Sequence, residues 1–292
     1  MKKITLTIFA ALLIAQTGCH DHPTIPVDLP PAPPSGLYSV TGNGKATLYW
    51  DTNFEPDLRE FALYSSTEEF GAYVLEGTTT NTYFTYYFPN GSTRYLAVAA
   101  IDLAGNESEL SYETIWETPR PEGFNKMVYA LFYDSTQTNF DRCGIDFSDY
   151  NSYMIQALDN PSNDVYIDNY EGVVFLNAFA EDTDIALFGL TSDISDIDYI
   201  DPELIDWAED GYVPLYEDFS YVIWTYDNHF ATIRIEEVFY DRVLFDWAYQ
   251  TDEGNPQLKT SAAGNGKNET KSESERKLRI RIPKTIKQEI LN

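Results

Sequence analysis

Alternation with a period of two residues is the feature that most narrows what this chain can fold into. It appears in Ala46-Thr47-Leu48-Tyr49-Trp50, in Glu60-Phe61-Ala62-Leu63-Tyr64 and in Leu96-Ala97-Val98-Ala99-Ala100-Ile101. It is clearest at Val243, Phe245, Trp247 and Tyr249, where every second residue is large and apolar. Successive side chains of an extended strand point to opposite faces, so this pattern buries one face of a sheet and leaves the other in water. A helix has no use for it. Turn signals stand between the runs, at Gly42-Asn43-Gly44, Pro89-Asn90-Gly91 and Gly105-Asn106. The aromatic residues are mainly 22 Tyr and 17 Phe, interleaved with Val, Ile and Thr, which suit a pleated, half-buried surface. The expectation is an all-β protein with antiparallel sheets.

Residues 35–118 carry such strands at regular spacing, as an antiparallel sandwich requires. A Pro-Pro opening is followed by Gly44-Lys45-Ala46-Thr47-Leu48-Tyr49-Trp50, then Glu55-Pro56-Asp57, then Tyr95-Leu96-Ala97-Val98-Ala99-Ala100-Ile101-Asp102 and Gly105-Asn106-Glu107-Ser108. On these residues the segment resembles a fibronectin type III domain. The resemblance implies an immunoglobulin-like sandwich with Trp50 in its core. It brings no function with it, because such modules serve as spacers, adhesion units and receptor parts alike.

Pro119-Arg120-Pro121-Glu122-Gly123 reads as a rigid, polar linker, residues 119–123, and a second acidic β domain is expected over 124–258. Its end reads as a three-stranded meander: Ser220 to Tyr226, a two-residue turn at Asp227-Asn228, His229 to Val238, and the alternating run through Tyr249. Gly172 to Leu176 and Ile185 to Leu190 are expected as central strands, so that the region closes as a second antiparallel sandwich or a partly open barrel. The Phe-Asp-Trp-Ala-Tyr-Gln segment at 245–250 and its surroundings resemble the C-terminal region of uncharacterised bacterial surface lipoproteins, a likeness that implies no activity. From residue 259 to 292 the composition turns to Ser, Asn, Gly, Lys and Glu without period, a disordered basic tail.

The opposite end of the chain speaks about location. Lys2 and Lys3 precede an apolar run from Ile4 to Ala15 that stops at Gln16-Thr17-Gly18-Cys19, the layout of a signal peptide over residues 1–18. That run is about twelve residues, short of the roughly twenty a spanning helix needs. The Cys after Gly18, followed by a polar, Pro-rich tether at 19–34, resembles the lipobox of bacterial lipoproteins. The resemblance implies that Cys19 is acylated and holds the protein to a membrane of the cell envelope or at the cell surface; plain secretion is the alternative.

Charge excludes one class of partner. Residues 19–258 hold 8 Lys and Arg against 43 Asp and Glu, and a field of that sign repels nucleic acid. With Cys19 committed to lipid, Cys143 is left without a second cysteine, which excludes a disulfide framework and points to a buried thiol.

Candidate chemistry is sparse. Asp182, Asp184, Asp193, Asp196, Asp198 and Asp201 form the densest carboxylate run, and hard oxygen ligands suit Ca²⁺, but the spacing is not that of an EF-hand loop and a solvated acidic face accounts for it. No other cofactor is implied. His229 is the only histidine of residues 35–258, and no Gly-x-Ser-x-Gly elbow or phosphate-cradling loop is present. Two opposed carboxylates would serve a glycan hydrolase, yet nothing singles out a pair among so many acids. Trp207, Tyr212, Tyr216 and Phe219 lie in a Pro- and acid-rich connection, where aromatic rings either stack on sugars, anchor a protein partner, or cap the open end of the second domain. The reading is a non-catalytic binding or adhesion protein of the cell envelope whose partner is an extracellular protein or glycan. The alternative is a secreted glycan hydrolase or its accessory carbohydrate-binding module.

Overall fold

The computed structural model describes residues 28–258 apart from 114, 135, 198 and 199. The signal peptide, Cys19, most of the tether and the tail from Lys259 lie outside the described residues. Within them the protein is built from strands, as the period-two pattern requires.

Seven strands form the first sandwich: β1 (Tyr38–Gly42), β2 (Lys45–Tyr49), β3 (Leu58–Ser66), β4 (Val74–Thr79), β5 (Tyr83–Tyr87), β6 (Arg94–Asp102) and β7 (Ile115–Glu117). One sheet has the order β1-β2-β5 and the other β4-β3-β6-β7, with every pairing antiparallel. This three-plus-four split is the arrangement the fibronectin type III resemblance implies. Asn43 and Gly44 make the two-residue turn between β1 and β2, and Gly44 has φ +67°, a left-handed conformation that only glycine adopts without strain. Between the sheets lie Leu48, Phe61, Leu63, Leu96, Val98 and Ile115, with Trp50 edge-on to Phe61 at 5.3 Å.

The second sandwich uses β8 (Glu122–Tyr129), β9 (Leu131–Phe132), β10 (Gly144–Ile145), β11 (Ile155–Gln156), β12 (Val165–Tyr170), β13 (Val173–Ala178), β14 (Asp184–Leu190), β15 (Tyr212–Pro214), β16 (Phe219–Trp224), β17 (Phe230–Val238) and β18 (Arg242–Gln250). One sheet runs β11-β10-β12-β13-β15, with β9 added parallel to β12; the other runs β14-β16-β17-β18-β8. Val165, Ile167, Val174 and Leu176 from the first meet Ile223, Ile233, Val243, Phe245 and Trp247 from the second in one apolar core. The expected meander is β16-β17-β18, and the alternating residues from Val243 to Tyr249 all face inward. The region is a closed sandwich rather than an open barrel.

Four local expectations need correction. Ile185 to Leu190 belongs to β14, an edge strand rather than a central one, and it carries a bulge between Leu187 and Gly189 that breaks the pairing register. The turn after β16 is longer than Asp227-Asn228, because Thr225 N–H bonds the His229 carbonyl at 2.9 Å and Asn228 takes a left-handed φ of 68°. The end of the tether does not stand free: Pro31 and Pro34 are buried, Ala32 N–H donates to Glu55 at 2.8 Å, and Asn53 donates to the Ala32 carbonyl at 2.7 Å.

The largest correction concerns residues 119–123. Glu122 and Gly123 already pair with β18, and Glu117 to Pro121 are buried without a break. Gly91 N–H donates to the Pro119 carbonyl at 2.8 Å, and Tyr249 N–H donates to that of Pro121 at 3.1 Å. Gln250 donates to the carbonyls of Gln257 and Thr118 at 2.8 and 3.3 Å. Arg120, fully buried, donates to the Leu258 carbonyl and to Glu122, each at 2.7 Å. The linker is thus a clasp that both sandwiches close upon. Its Pro-Arg-Pro sequence reads as a hinge only while the groups that receive it are unknown.

Candidate functional site on the outer face of the second sandwich

Because Val165, Ile167, Val174 and Leu176 point into the core, the residues between them on β12 and β13 point outward. These are Tyr166 and Asp168 on β12, and Phe175 and Asn177 on β13. Register places Tyr166 beside Asn177 and Asp168 beside Phe175, and β15 continues the rows with Tyr212 beside Asn177 and Pro214 beside Phe175. The Phe175 and Tyr212 rings meet at right angles with centroids 5.6 Å apart. Tyr166 stands edge-on to Phe179 at 6.5 Å. One outer sheet face therefore gathers aromatic rings around a carboxylate.

That carboxylate is unusual in its surroundings. Asp168 is only 6% exposed, and its Oδ2 accepts the Tyr133 hydroxyl at 2.8 Å while Oδ1 is buried with no hydrogen-bond partner. Burial pushes the Asp168 carboxyl above the usual carboxylate range, against the bond from Tyr133 and the nearby Asn177 amide. Tyr133 follows the two-residue β9 and is itself 58% exposed. Cys143 is a fully buried thiol, pushed up to about 12 chiefly by burial, and so has none of the thiolate character that reactivity demands.

A second polar cluster lies where the 146–150 loop meets the β16–β17 turn. Asp164 is buried and its Oδ2 accepts the Phe147 N–H at 2.9 Å. Burial first, then the charges of Asp227 and Asp146, raise its carboxyl to about 8. His229 Nδ1 lies 3.2 Å from Asp227 Oδ1. Burial opposes the imidazolium, but Asp227 outweighs it and holds His229 above its ordinary range. Asp227 in turn stays ionised below the usual carboxylate range: His229 and the Thr225 hydroxyl overcome its own burial. A protonated acid beside an ionised one is the pairing that hydrolytic acid–base chemistry uses. Here, however, Asp146 and Asp164 are both buried, next to the stacked Phe147 and Tyr249 rings, whose centroids are 6.1 Å apart.

The four aromatics singled out in the sequence do not form one patch. Trp207 donates its indole N–H to the Pro202 carbonyl at 2.9 Å and packs against Trp224 and a small core containing Ala186, Ile197, Ile200 and Leu258. It caps the sandwich, as the alternative reading had it. Tyr216 and Phe219 pair with each other at 5.7 Å, and Tyr216 N–H is tied to the Tyr221 hydroxyl. Tyr212 alone joins the outer face. Sequence reasoning missed Tyr133, Tyr166, Asp168, Phe175 and Asn177, although Tyr166-Ile167-Asp168 and Phe175-Leu176-Asn177 show the same alternation of outward polar or aromatic residues around an inward apolar one.

Among the described residues, the acidic run forms no group of three carboxylates whose oxygens lie within 4.8 Å of one another. Asp196 Oδ2 accepts from Ser192 N–H and Oγ–H and from Asp193 N–H, and Asp201 accepts the Glu203 N–H, so both serve their own turns. Asp198 lies outside the described residues. Such a group of three is formed instead by Asp28, Asp57 and Asp102, at the end of the first sandwich where the tether arrives. Asp102 spends both oxygens there on Asn106.

No family model matches the chain. Over 96 residues it is 31% identical to an amylopullulanase from Thermoanaerobacterium saccharolyticum, a match that spans 32% of this chain and 7% of that enzyme's length. An Fn3-like protein from Clostridium thermocellum is similar in structure, with 28% identity and a TM-score of 0.28 over 32% of this chain and 98% of that one. A DUF4466 family protein from Parabacteroides merdae is similar over 75% of this chain and 99% of its own, with 14% identity and a TM-score of 0.39. Structures similar to this chain thus include fibronectin type III-like domains.

Proposed function

We propose that this is an exported, lipid-anchored protein of the cell envelope that binds an extracellular glycan or protein without turning it over. The outer face of β12, β13 and β15 carries this reading: it combines exposed aromatic surface with a buried carboxylate, Asp168, of which one oxygen has no hydrogen-bond partner. The N-terminal charge and apolar pattern ending at Cys19 supports export and acylation. The partial likeness to an amylopullulanase supports a glycan setting, with the first sandwich as its spacer. Full-length protein on glycan and protein-ligand arrays tests the binding reading, which fails if no glycan and no protein ligand is captured. Cys19→Ala is expected to move the protein from the membrane to the soluble fraction; retention on the membrane sinks the acylation.

A second reading, a glycan hydrolase, is favoured by the opposed protonation of Asp164 and Asp227. Release of reducing sugar by the wild type and its loss in Asp164→Asn would decide for it.

A further inference from the structure

We infer that the outer face of β12, β13 and β15 is a site for a neutral, hydroxyl-rich glycan, held by the Phe175–Tyr212 corner and by a hydroxyl bond to Asp168. The inference rests on the binding reading above and names the ligand class for the same face.

Three observations lead to it. Asp168 Oδ1 is buried and has no hydrogen-bond partner at bonding distance; the Asn177 amide favours the carboxylate without closing a bond to that oxygen, which stays open to a further donor. Alternation and register aim this side chain into the row that holds Tyr166, Phe175, Asn177 and Tyr212 rather than into the core. Finally, two rings at right angles make a corner with a floor and a wall, a shape that takes the apolar face of a pyranose while its rim of hydroxyls stays free to bond. Few polar groups among aromatic walls is the usual make-up of small-molecule sites.

Charge narrows the class further. With 43 acids against 8 basic residues over 19–258, the surface disfavours uronates, phosphates and sulfates. Burial also works against a charged Asp168, which lessens the pull on a cationic ligand and suits a hydroxyl donor instead. Tyr133 acts as the latch. Its hydroxyl holds Oδ2 when the face is empty, and because the ring is largely in solvent, rotation of its side chain opens the carboxylate to the incoming hydroxyl.

The test is affinity electrophoresis of the full chain with the Cys19→Ala substitution, in gels containing pullulan, soluble starch, mixed-linkage β-glucan or xylan, with polygalacturonate as the anionic control. Retardation is expected by at least one neutral polysaccharide, undiminished at 0.5 M NaCl, and none by polygalacturonate. Tyr212→Ala and Phe175→Ala should each weaken it about tenfold or more, and Asp168→Asn about fivefold, with Tyr38→Ala on the first sandwich as an unaffected control. Near-ultraviolet circular dichroism checks that Asp168→Asn is folded; the exposed Tyr212 ring gives a variant whose folding is not at stake. Retardation that survives Tyr212→Ala and Phe175→Ala overturns this site while leaving the binding reading intact. Retardation by none of the neutral polymers, or binding to a protein or a cationic ligand alone, overturns the ligand class. Degradation of the polymer in the gel would instead overturn the non-catalytic reading beneath it.

Discussion

Both sandwiches carry tyrosines on an outer sheet face, and the two faces satisfy their side chains in different ways. On the first, Tyr38, Tyr49 and Tyr83 stand directly opposite one another across β1, β2 and β5, with centroid separations of 5.1 and 6.0 Å. Beside them the Thr47 and Thr85 hydroxyls pair at 2.9 Å. Each group there has its partner within the face. On the second, rings surround Asp168, whose Oδ1 has none. Exposed aromatic surface is common to both, so exposure by itself does not mark a site; what sets the second face apart is a carboxylate oxygen among its rings that has no hydrogen-bond partner.

The same contrast holds for buried acids, and substitutions should expose it through effects of opposite sign. The largest loss is expected in the first sandwich at Glu117, a buried carboxylate that accepts the hydroxyls of Ser39 and Thr41. Glu117→Ala leaves both hydroxyls without their acceptor and should cost about 2–3 kcal/mol, read as a lower urea midpoint at unchanged slope.

In the second sandwich, removing the charge should help. Asp164 titrates near 8 in the folded chain and near 4 when unfolded, so the folded state keeps a proton that the unfolded chain releases. Its contribution to stability is complete below about pH 4 and is lost as pH rises through about 8. Asp164→Asn should therefore be more stable than wild type at pH 9, by on the order of 2 kcal/mol, and lose that advantage by pH 4, as followed by thermal melts across the range. A gap that widens toward acid would contradict the buried, protonated carboxyl. Asp168→Asn should show the same sign with a smaller gain at pH 9, at the expense of ligand affinity. Smallest of all, Tyr49→Ala should cost about 0.5–1 kcal/mol of ring stacking in the first sandwich and leave ligand binding unchanged.

Much of the architecture was legible because strands announce themselves locally. The first sandwich could be read from its turns and from the order of motifs around Trp50, and the β16-β17-β18 meander from the spacing of Val243, Phe245, Trp247 and Tyr249. What could not be read depended on partners distant in sequence. Leu187, Phe188 and Leu190 look like core residues, but only the sheet order shows that they lie on an edge strand. Trp207 looks like a loop aromatic until Trp224 and Leu258 are brought against it. Asp168 was one acid among many, and what sets it apart, burial against Tyr133 with one oxygen unmatched, arises only when β9 pairs with β12. Arg120 was hidden by its own prolines.

The clasp at 117–121 also has a mechanical meaning. On the proposed reading, a polymer held by the second sandwich would pull against an anchor beyond the first, and the tension would cross between them where Gly91, Tyr249 and Gln250 grip this stretch and its own Arg120 grips the Leu258 carbonyl. Bonds arranged side by side share a tug and must give way together, whereas a flexible joint would let the domains swivel until the chain drew taut. Such a junction suits a molecule that has to hold a catch without reorienting it.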